Sequence, residues 1–112
     1  MLPKSRRITK KEEWNKLHKF GERAHSPELV MSYLKTNNIS RFGFIVGNKV
    51  SKRANIRNLI KRRIRAVIEN NLANIIKNID VIFVAKVKIK ELNYQEIEKK
   101  VLILLKKQRL LK

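Results

Sequence analysis

The sequence predicts an α+β fold, a small sandwich in which helices pack against one sheet. Two stretches, 54–70 and 94–110, place apolar residues at the three- and four-residue spacing of a helix face. Between them, residues 79–85 form a nearly continuous apolar, β-branched run, which is typical of a strand buried on both sides. With one helix and two strands predicted from the N-terminal half, the element order is α-β-β-α-β-α.

The first predicted helix follows a basic N-terminal arm. Residues 1–8 are predicted to be extended, whereas Thr9 and Glu12 have the spacing of a capping box, which starts a helix. Gly21 is predicted to end this helix in a left-handed conformation. The segment from there to Pro27 is predicted to be a loop.

Two strands are predicted in the middle of the chain. Residues 29–35 alternate in polarity, and Asn37-Asn38 is a turn signal that separates them from a second strand over 41–46. Gly43 inside the second strand predicts either a bulge or a close backbone approach.

The stretch that follows is the most ordered basic segment of the chain. From Lys52 to Arg65 there are seven cations and no acid, and the residues sort onto different faces of one helix. The predicted inward face is Ile56, Ile60, Ile64 and Val67. A solvated charged face normally mixes both signs, and this face does not, so the pattern favours a helix that binds nucleic acid. Binding to a membrane surface is disfavoured because the apolar face lacks interfacial Trp or Phe.

The whole composition agrees with a polyanionic partner. Lys and Arg number 28 against 9 Asp and Glu, so the formal net charge is +19 and the pI is about 10.8. The length of 112 residues fits one domain over 1–112 with a small core. The chain has no cysteine, no apolar run long enough for a membrane span and no visible secretory signal, which together predict a cytoplasmic protein.

No motif for independent catalysis is present in the sequence. A nuclease that works without RNA needs clustered carboxylates for metal ions, or paired acid and base groups. The carboxylates here are scattered, and neither His18 nor His25 has a carboxylate or thiol at metal-ligand spacing. We therefore predict no catalytic residue, no metal ligand and no protein-bound cofactor.

Several of these segments resemble the bacterial ribonuclease P protein component. The resemblance covers nearly the whole chain in the order of that family, and departs from it in two places. Leu59 stands where the family commonly has Arg, and His18 stands where it commonly has a second aromatic residue. The residues that carry the resemblance are Leu2-Pro3, Arg6-Arg7-Ile8, Trp14, Leu17, Gly21, 41–46, Lys49, 52–65 and 80–85.

The resemblance implies a mixed sheet whose two adjacent parallel strands are joined through the basic helix by a left-handed crossover, against the general right-handed rule. It also implies a protein subunit that assembles with a catalytic RNA and binds the 5′ leader of precursor tRNA. The RNA then performs the hydrolysis, for which Mg²⁺ is expected. The sequence shows no protein partner and no membrane partner. A ribosomal-type structural RNA-binding protein is the alternative that composition leaves open.

The resemblance also assigns roles to residues. Arg63 is left open between an RNA contact and a structural role. The leader cleft is predicted to contain Trp14, His18, Phe20 and Tyr33, each weighed against packing in the core, with the identity of the second ring left open between His18 and Phe20. The predicted RNA-facing set is Lys52, Arg53, Arg57, Asn58, Lys61, Arg62 and Arg65.

Overall fold

A computed structural model describes residues 2–8 and 10–112. In this part of the chain, one four-stranded sheet is packed between helices on its two faces. The three α-helices are α1 (Lys11–Phe20), α2 (Ala54–Asn71) and α3 (Tyr94–Lys107). The four strands are β1 (Glu22–His25), β2 (Leu29–Lys35), β3 (Arg41–Ile45) and β4 (Ile79–Ala85).

The sheet is mixed, and the strand order across it is β1-β2-β4-β3. The pairs β1–β2 and β2–β4 are antiparallel, whereas β3 and β4 are parallel neighbours joined through α2. The predicted α+β class, the mixed sheet and the crossover through the basic helix are therefore confirmed. A bridge from Arg7 to Phe42 adds the N-terminal arm beside β3.

The sequence prediction missed strand β1. Its four residues are mostly polar and exposed, and only Ala24 is buried, opposite Met31 of β2. Such a short edge strand has no hydrophobic alternation of its own, because its hydrogen-bonding partner rather than its composition makes it a strand. The segment predicted to be a loop between Gly21 and Pro27 therefore contains the edge of the sheet.

The start and end of α1 differ from the prediction. Lys10 occupies the N-cap position without a side-chain hydrogen bond, and Thr9 of the predicted capping box lies outside the described residues. Gly21 is extended, with φ at −74°, so the predicted left-handed stop is wrong. A Cβ atom at this position would lie 2.4 Å from the carbonyl oxygen of Leu17 and 2.9 Å from that of Tyr33. Glycine is required here for close packing against two backbone oxygens.

The larger part of the core lies between the sheet and the helix pair α2 and α3. The predicted inward residues of α2 are buried from Ile60 onward, and Ile56 is partly buried at the margin. Helix α3 begins with the predicted Asn93 cap, whose Oδ1 accepts a hydrogen bond from the Glu96 amide at 2.9 Å. Its inward residues are also as predicted: Ile97, Val101, Leu104 and Leu105.

A second, smaller cluster lies on the opposite face of the sheet under α1. Its buried members are Ile8, Leu17 and Ile82. Trp14, Leu34 and Val84 pack against them and remain partly exposed. The alternation of side chains along each strand thus divides the sheet into a large closed face and a smaller, partly open one.

Candidate nucleic-acid interface

The outward side of α2 presents the predicted cations to solvent. Because its apolar residues face the sheet, the remaining positions form one basic surface with no acidic residue in the first helical turn. Leu59 is 36% exposed at the rim of the apolar face, and it interrupts the row of polar side chains. The predicted residues that are exposed are Lys52, Arg53, Asn58 and Arg62, and those that are half-buried are Arg57, Lys61 and Arg65.

Arg57 fixes the loop that precedes α2. Its Nη1 atom donates hydrogen bonds to the carbonyl oxygens of Ser51, at 3.0 Å, and Lys52, at 2.9 Å. The loop and the first turns of the helix enclose a basic depression of about 600 Å³, lined by Asn48, Lys49, Lys52 and Arg57. Arg57 therefore adds a positive charge to the surface and also stabilises the conformation of the preceding loop. Asn48 could not be predicted as a lining residue, because a lone amide in a polar loop has no distinctive sequence pattern.

Two other arginines of α2 are partly engaged within the protein. The Arg65 guanidinium carbon lies 5.7 Å from the centroid of the Phe44 ring, which in turn stacks on Phe83 at a centroid distance of 6.1 Å. Arg63 donates through Nη1 to the carbonyl oxygen of Leu92 at 3.4 Å. The role left open for Arg63 therefore includes a structural contact between α2 and the segment before α3.

Trp14 lies directly on strand β3. A Cβ atom built on Gly43 would come within 2.5 Å of Trp14 Cη2 and 2.7 Å of Cζ2, so the indole occupies the space above this glycine. Gly43 was predicted to mark a bulge or a close backbone approach, and the group that lies against it is instead the Trp14 side chain. The ring remains partly exposed.

Trp14 and His18 share a depression of about 200 Å³ on this face of the sheet. Trp14 and His18 are four residues apart on α1, so they project from the same side of the helix. The floor is apolar and comes from alternate residues of β3 and β4, which the sequence analysis did not assign to the site. Its lining residues are Trp14, Asn15, His18, Ser32, Ile45, Ile82 and Val84.

Two other predicted cleft residues lie elsewhere. Tyr33 is 7% exposed in the core on the opposite face, and its hydroxyl donates to a carboxylate oxygen of Glu22. Burial, followed by this hydrogen bond, raises the pKa of Tyr33 to about 12. Phe20 is 64% exposed at the end of α1, with Lys19 Nζ 5.4 Å from its ring centroid, and does not line the depression. Tyr33 is therefore corrected to a core residue, and His18 is the ring that accompanies Trp14.

An ion-pair network holds α1 beside the same strands. Arg41 donates to the Asp80 carboxylate through Nη2 at 2.9 Å and through Nε at 3.3 Å, and its Nη1 pairs with Glu13 of α1. The hydrogen bond to Asp80 is the main cause that raises the pKa of the Arg41 guanidinium. Because Glu13 precedes Trp14, this network helps to set where the indole lies on the sheet.

The basic surface of α2 and the depression at Trp14 meet along β3. Helix α2 packs on the opposite face from α1, so the basic helix does not lie across the same groove as Trp14. Alternation along β3 directs Phe44 toward Arg65 and the next residue, Ile45, into the depression. A single-stranded polymer could therefore contact both surfaces by passing around the edge of the sheet.

The described residues contain no group of three or more His, Asp or Glu side chains placed to hold a metal ion. None of the helices over 2–8 and 10–112 combines the length and apolar character needed to cross a bilayer.

Comparison with known proteins identifies relatives along almost the full chain. The family model for Ribonuclease P matches residues 2–109. The Ribonuclease P protein component of Clostridium novyi (strain NT) is 35% identical over 109 residues, covering 95% of this chain and 96% of the relative. That of Synechocystis sp. is 36% identical over 85 residues, covering 74% and 68%.

Solved structures show the same fold. The Staphylococcus aureus RNase P protein has a TM-score of 0.89 and 25% sequence identity, covering 97% of this chain and all of that chain. The Thermotoga maritima RNase P protein has a TM-score of 0.82 and 25% identity, covering 90% of this chain and 96% of that one.

Proposed function

Because the chain belongs to the family of ribonuclease P protein components, which are parts of a ribonucleoprotein endonuclease, we propose that it binds two RNA elements. The basic surface of α2 binds the catalytic RNA, and the depression at Trp14 binds the 5′ leader of precursor tRNA. The observation that carries this proposal is the placement of a partly exposed Trp on an apolar sheet face, together with the basic surface of α2, whose first turn has no acidic residue.

The proposed division of labour assigns the chemistry to the RNA. The protein contributes binding energy and orientation, and Mg²⁺ needed for phosphodiester hydrolysis would be held by RNA oxygens. Asp80 and Glu13 are poorly suited to hold such an ion, because both are paired with Arg41. The protein then acts in the cytoplasm together with its RNA partner.

The cations of α2 suit phosphate binding in different ways. Arg62 is exposed and offers a planar guanidinium fork, while Lys61 offers a point charge on a flexible stem. Asn58 can donate to a phosphate or accept from a sugar hydroxyl. Leu59 adds apolar area and no charge, so the phosphate contacts divide on either side of it.

The salt dependence of binding to the catalytic RNA tests whether the α2 surface contacts phosphates. If about five cations each displace a counterion, log Kd should rise with log salt concentration at a slope of about 3.5–4.5. Lys61→Ala or Arg62→Ala should lower this slope by about one unit, and the exposed Lys106 of α3 supplies a matched control, Lys106→Ala. Arg57→Ala should weaken binding further, because the loop before α2 loses the two hydrogen bonds that Arg57 donates to Ser51 and Lys52. An unchanged slope in both the Lys61 and Arg62 variants would place the RNA surface elsewhere.

Leader dependence tests the depression at Trp14. Stacking of an unpaired base on an aromatic ring contributes about 1–3 kcal/mol. Trp14→Ala should therefore weaken binding of the assembled enzyme to precursor tRNA with a leader several nucleotides long, and leave binding of mature tRNA nearly unchanged. Phe20→Ala is the matched control, since this exposed ring is on the same helix but outside the depression. Equal losses for precursor and mature tRNA would assign Trp14 to the core alone.

Recovery of bound RNA separates this function from that of a ribosomal-type RNA-binding protein. The protein isolated from its own cells should carry one large structured RNA that cleaves precursor tRNA when it is recombined with the protein. Ribosomal RNA as the main species would overturn the proposal. The purified protein alone should cleave no precursor.

A further inference from the structure

A second cavity lies between α2 and the start of α3, away from the depression at Trp14. Its volume is about 350 Å³. Its walls are mainly apolar and include the ring of Tyr94, Ala66 and parts of three arginine side chains. Two of these arginines have their guanidinium groups engaged within the protein, Arg63 at the Leu92 carbonyl oxygen and Arg65 at the Phe44 ring. The lining residues are Arg62, Arg63, Arg65, Ala66, Glu69 and Tyr94.

The aromatic wall of this cavity is held in place from both ends. Tyr94 is the first residue of α3, directly after the Asn93 cap and its reciprocal hydrogen bonds with Glu96. Its hydroxyl accepts a hydrogen bond from Asn70 Nδ2 at 3.0 Å, across from α2. A half-buried ring fixed in this way loses little conformational freedom when a planar group packs against it.

The charged residues that line the cavity are separated along α2, with the arginines toward the N-terminal end of the helix and Glu69 toward its C-terminal end. Arg62 and Glu69 are seven residues apart, about 10 Å along the helix axis. Arg62 is exposed, so its guanidinium favours an anionic group at one end of the cavity, and Glu69 lies at the other end. A ligand with a phosphate at one end and an uncharged planar ring at the other matches this arrangement.

We propose that this cavity binds one unpaired nucleotide of RNA, with the phosphate at Arg62 and the base against Tyr94. The nucleotide adds a contact to the RNA surface of α2, so the inference rests on the proposed function. It extends that surface to α3, and it makes Tyr94 a binding residue of the protein.

Binding of a mononucleotide to the full-length protein tests the inference. Adenosine 5′-monophosphate, followed by amide NMR shifts, should perturb Arg62, Ala66 and Tyr94 together. Inorganic phosphate should perturb the arginines and leave Tyr94 unchanged. Tyr94→Leu should weaken nucleotide binding about tenfold, within the range that base stacking contributes, and leave phosphate binding unchanged. Tyr94→Phe keeps the ring and should bind nucleotide nearly as the unmodified protein does.

Three outcomes test the proposed nucleotide site at Tyr94. Loss of nucleotide binding in Tyr94→Leu together with its retention in Tyr94→Phe supports the site. Identical shifts with phosphate and nucleotide would reduce the cavity to an anion contact and overturn it, as would unchanged nucleotide binding in Tyr94→Leu. Precursor tRNA binding that still depends on Trp14 in the same variant would show that the proposed function stands even where this site fails.

Discussion

The contact between Trp14 and Gly43 predicts that the effect of Gly43→Ala on stability changes sign when Trp14 is removed. An added Cβ at position 43 would lie 2.5 Å from Trp14 Cη2, whereas carbon atoms pack best at about 3.5–4.0 Å. The indole must therefore move by about 1 Å or more. Overpacking of this kind costs about 1–3 kcal/mol, so Gly43→Ala should destabilise the protein by about that amount.

The same substitution should be favourable once the ring is removed. The nearest three atoms to the added Cβ all belong to Trp14, so Trp14→Ala clears the space above the strand. Gly43 does not have a positive φ, and alanine there restricts the unfolded chain. In the Trp14→Ala background, Gly43→Ala should therefore stabilise the protein by about 0.4–1 kcal/mol.

Urea unfolding followed by far-UV circular dichroism measures all four proteins of this cycle, since the signal does not depend on the lost indole. The two steps at Gly43 should differ by about 1.5–4 kcal/mol, which is their coupling free energy. If Trp14 binds the leader as proposed, Gly43→Ala should also weaken precursor binding and leave mature tRNA binding unchanged, because it displaces this ring. Equal effects of Gly43→Ala in both backgrounds would refute the described position of Trp14.

Three further predictions concern the core and the edges of the sheet. Asp80→Ala should lower the free energy of unfolding by about 1.5–3 kcal/mol in urea titrations, because Arg41 loses two charge-assisted hydrogen bonds. A Tyr33 pKa raised to about 12 by burial and by Glu22 should add stability that is complete below pH 10 and is lost as pH rises toward 12. The stability difference between the unmodified protein and Tyr33→Phe, measured across this range, should therefore shrink, and a constant difference would contradict the reasoning. Gly21→Ala should lower the melting temperature clearly, because its Cβ would meet two carbonyl oxygens at 2.4 and 2.9 Å, and an unchanged value would contradict the close packing.

The parts of the fold that were predictable carry a hydrophobic pattern in the sequence. Helices α2 and α3 repeat apolar residues at a fixed spacing, strand β4 is a nearly continuous apolar run, and the structure buries most of these residues. Strand β1 carries no such pattern and exists through its pairing with β2. The polarity pattern of one segment cannot reveal a strand that its neighbour imposes.

The site was predictable in its residue types and less so in its geometry. The cations of α2 and the aromatic residue Trp14 stand out in the sequence, and Gly43 marks the close contact on the strand. The face of the sheet on which a residue lies depends on where α1 docks, which is a tertiary property. Tyr33 was misplaced for this reason, since alternation along β2 does not say which side is covered by which helix.

The unequal size of the two apolar clusters has a consequence for motion. Helix α1 is ten residues long, has no side-chain cap within the described residues, and is attached to the sheet by a cluster with three buried members and by the ion pair of Glu13 with Arg41. Helices this short are marginal on their own, so α1 should detach in a local opening that leaves the sheet, α2 and α3 intact. Amide hydrogens of α1 should then exchange much faster than those of β4. Each opening lifts Trp14 from Gly43, so the depression proposed to bind the leader is lost and re-formed while the basic helix stays folded.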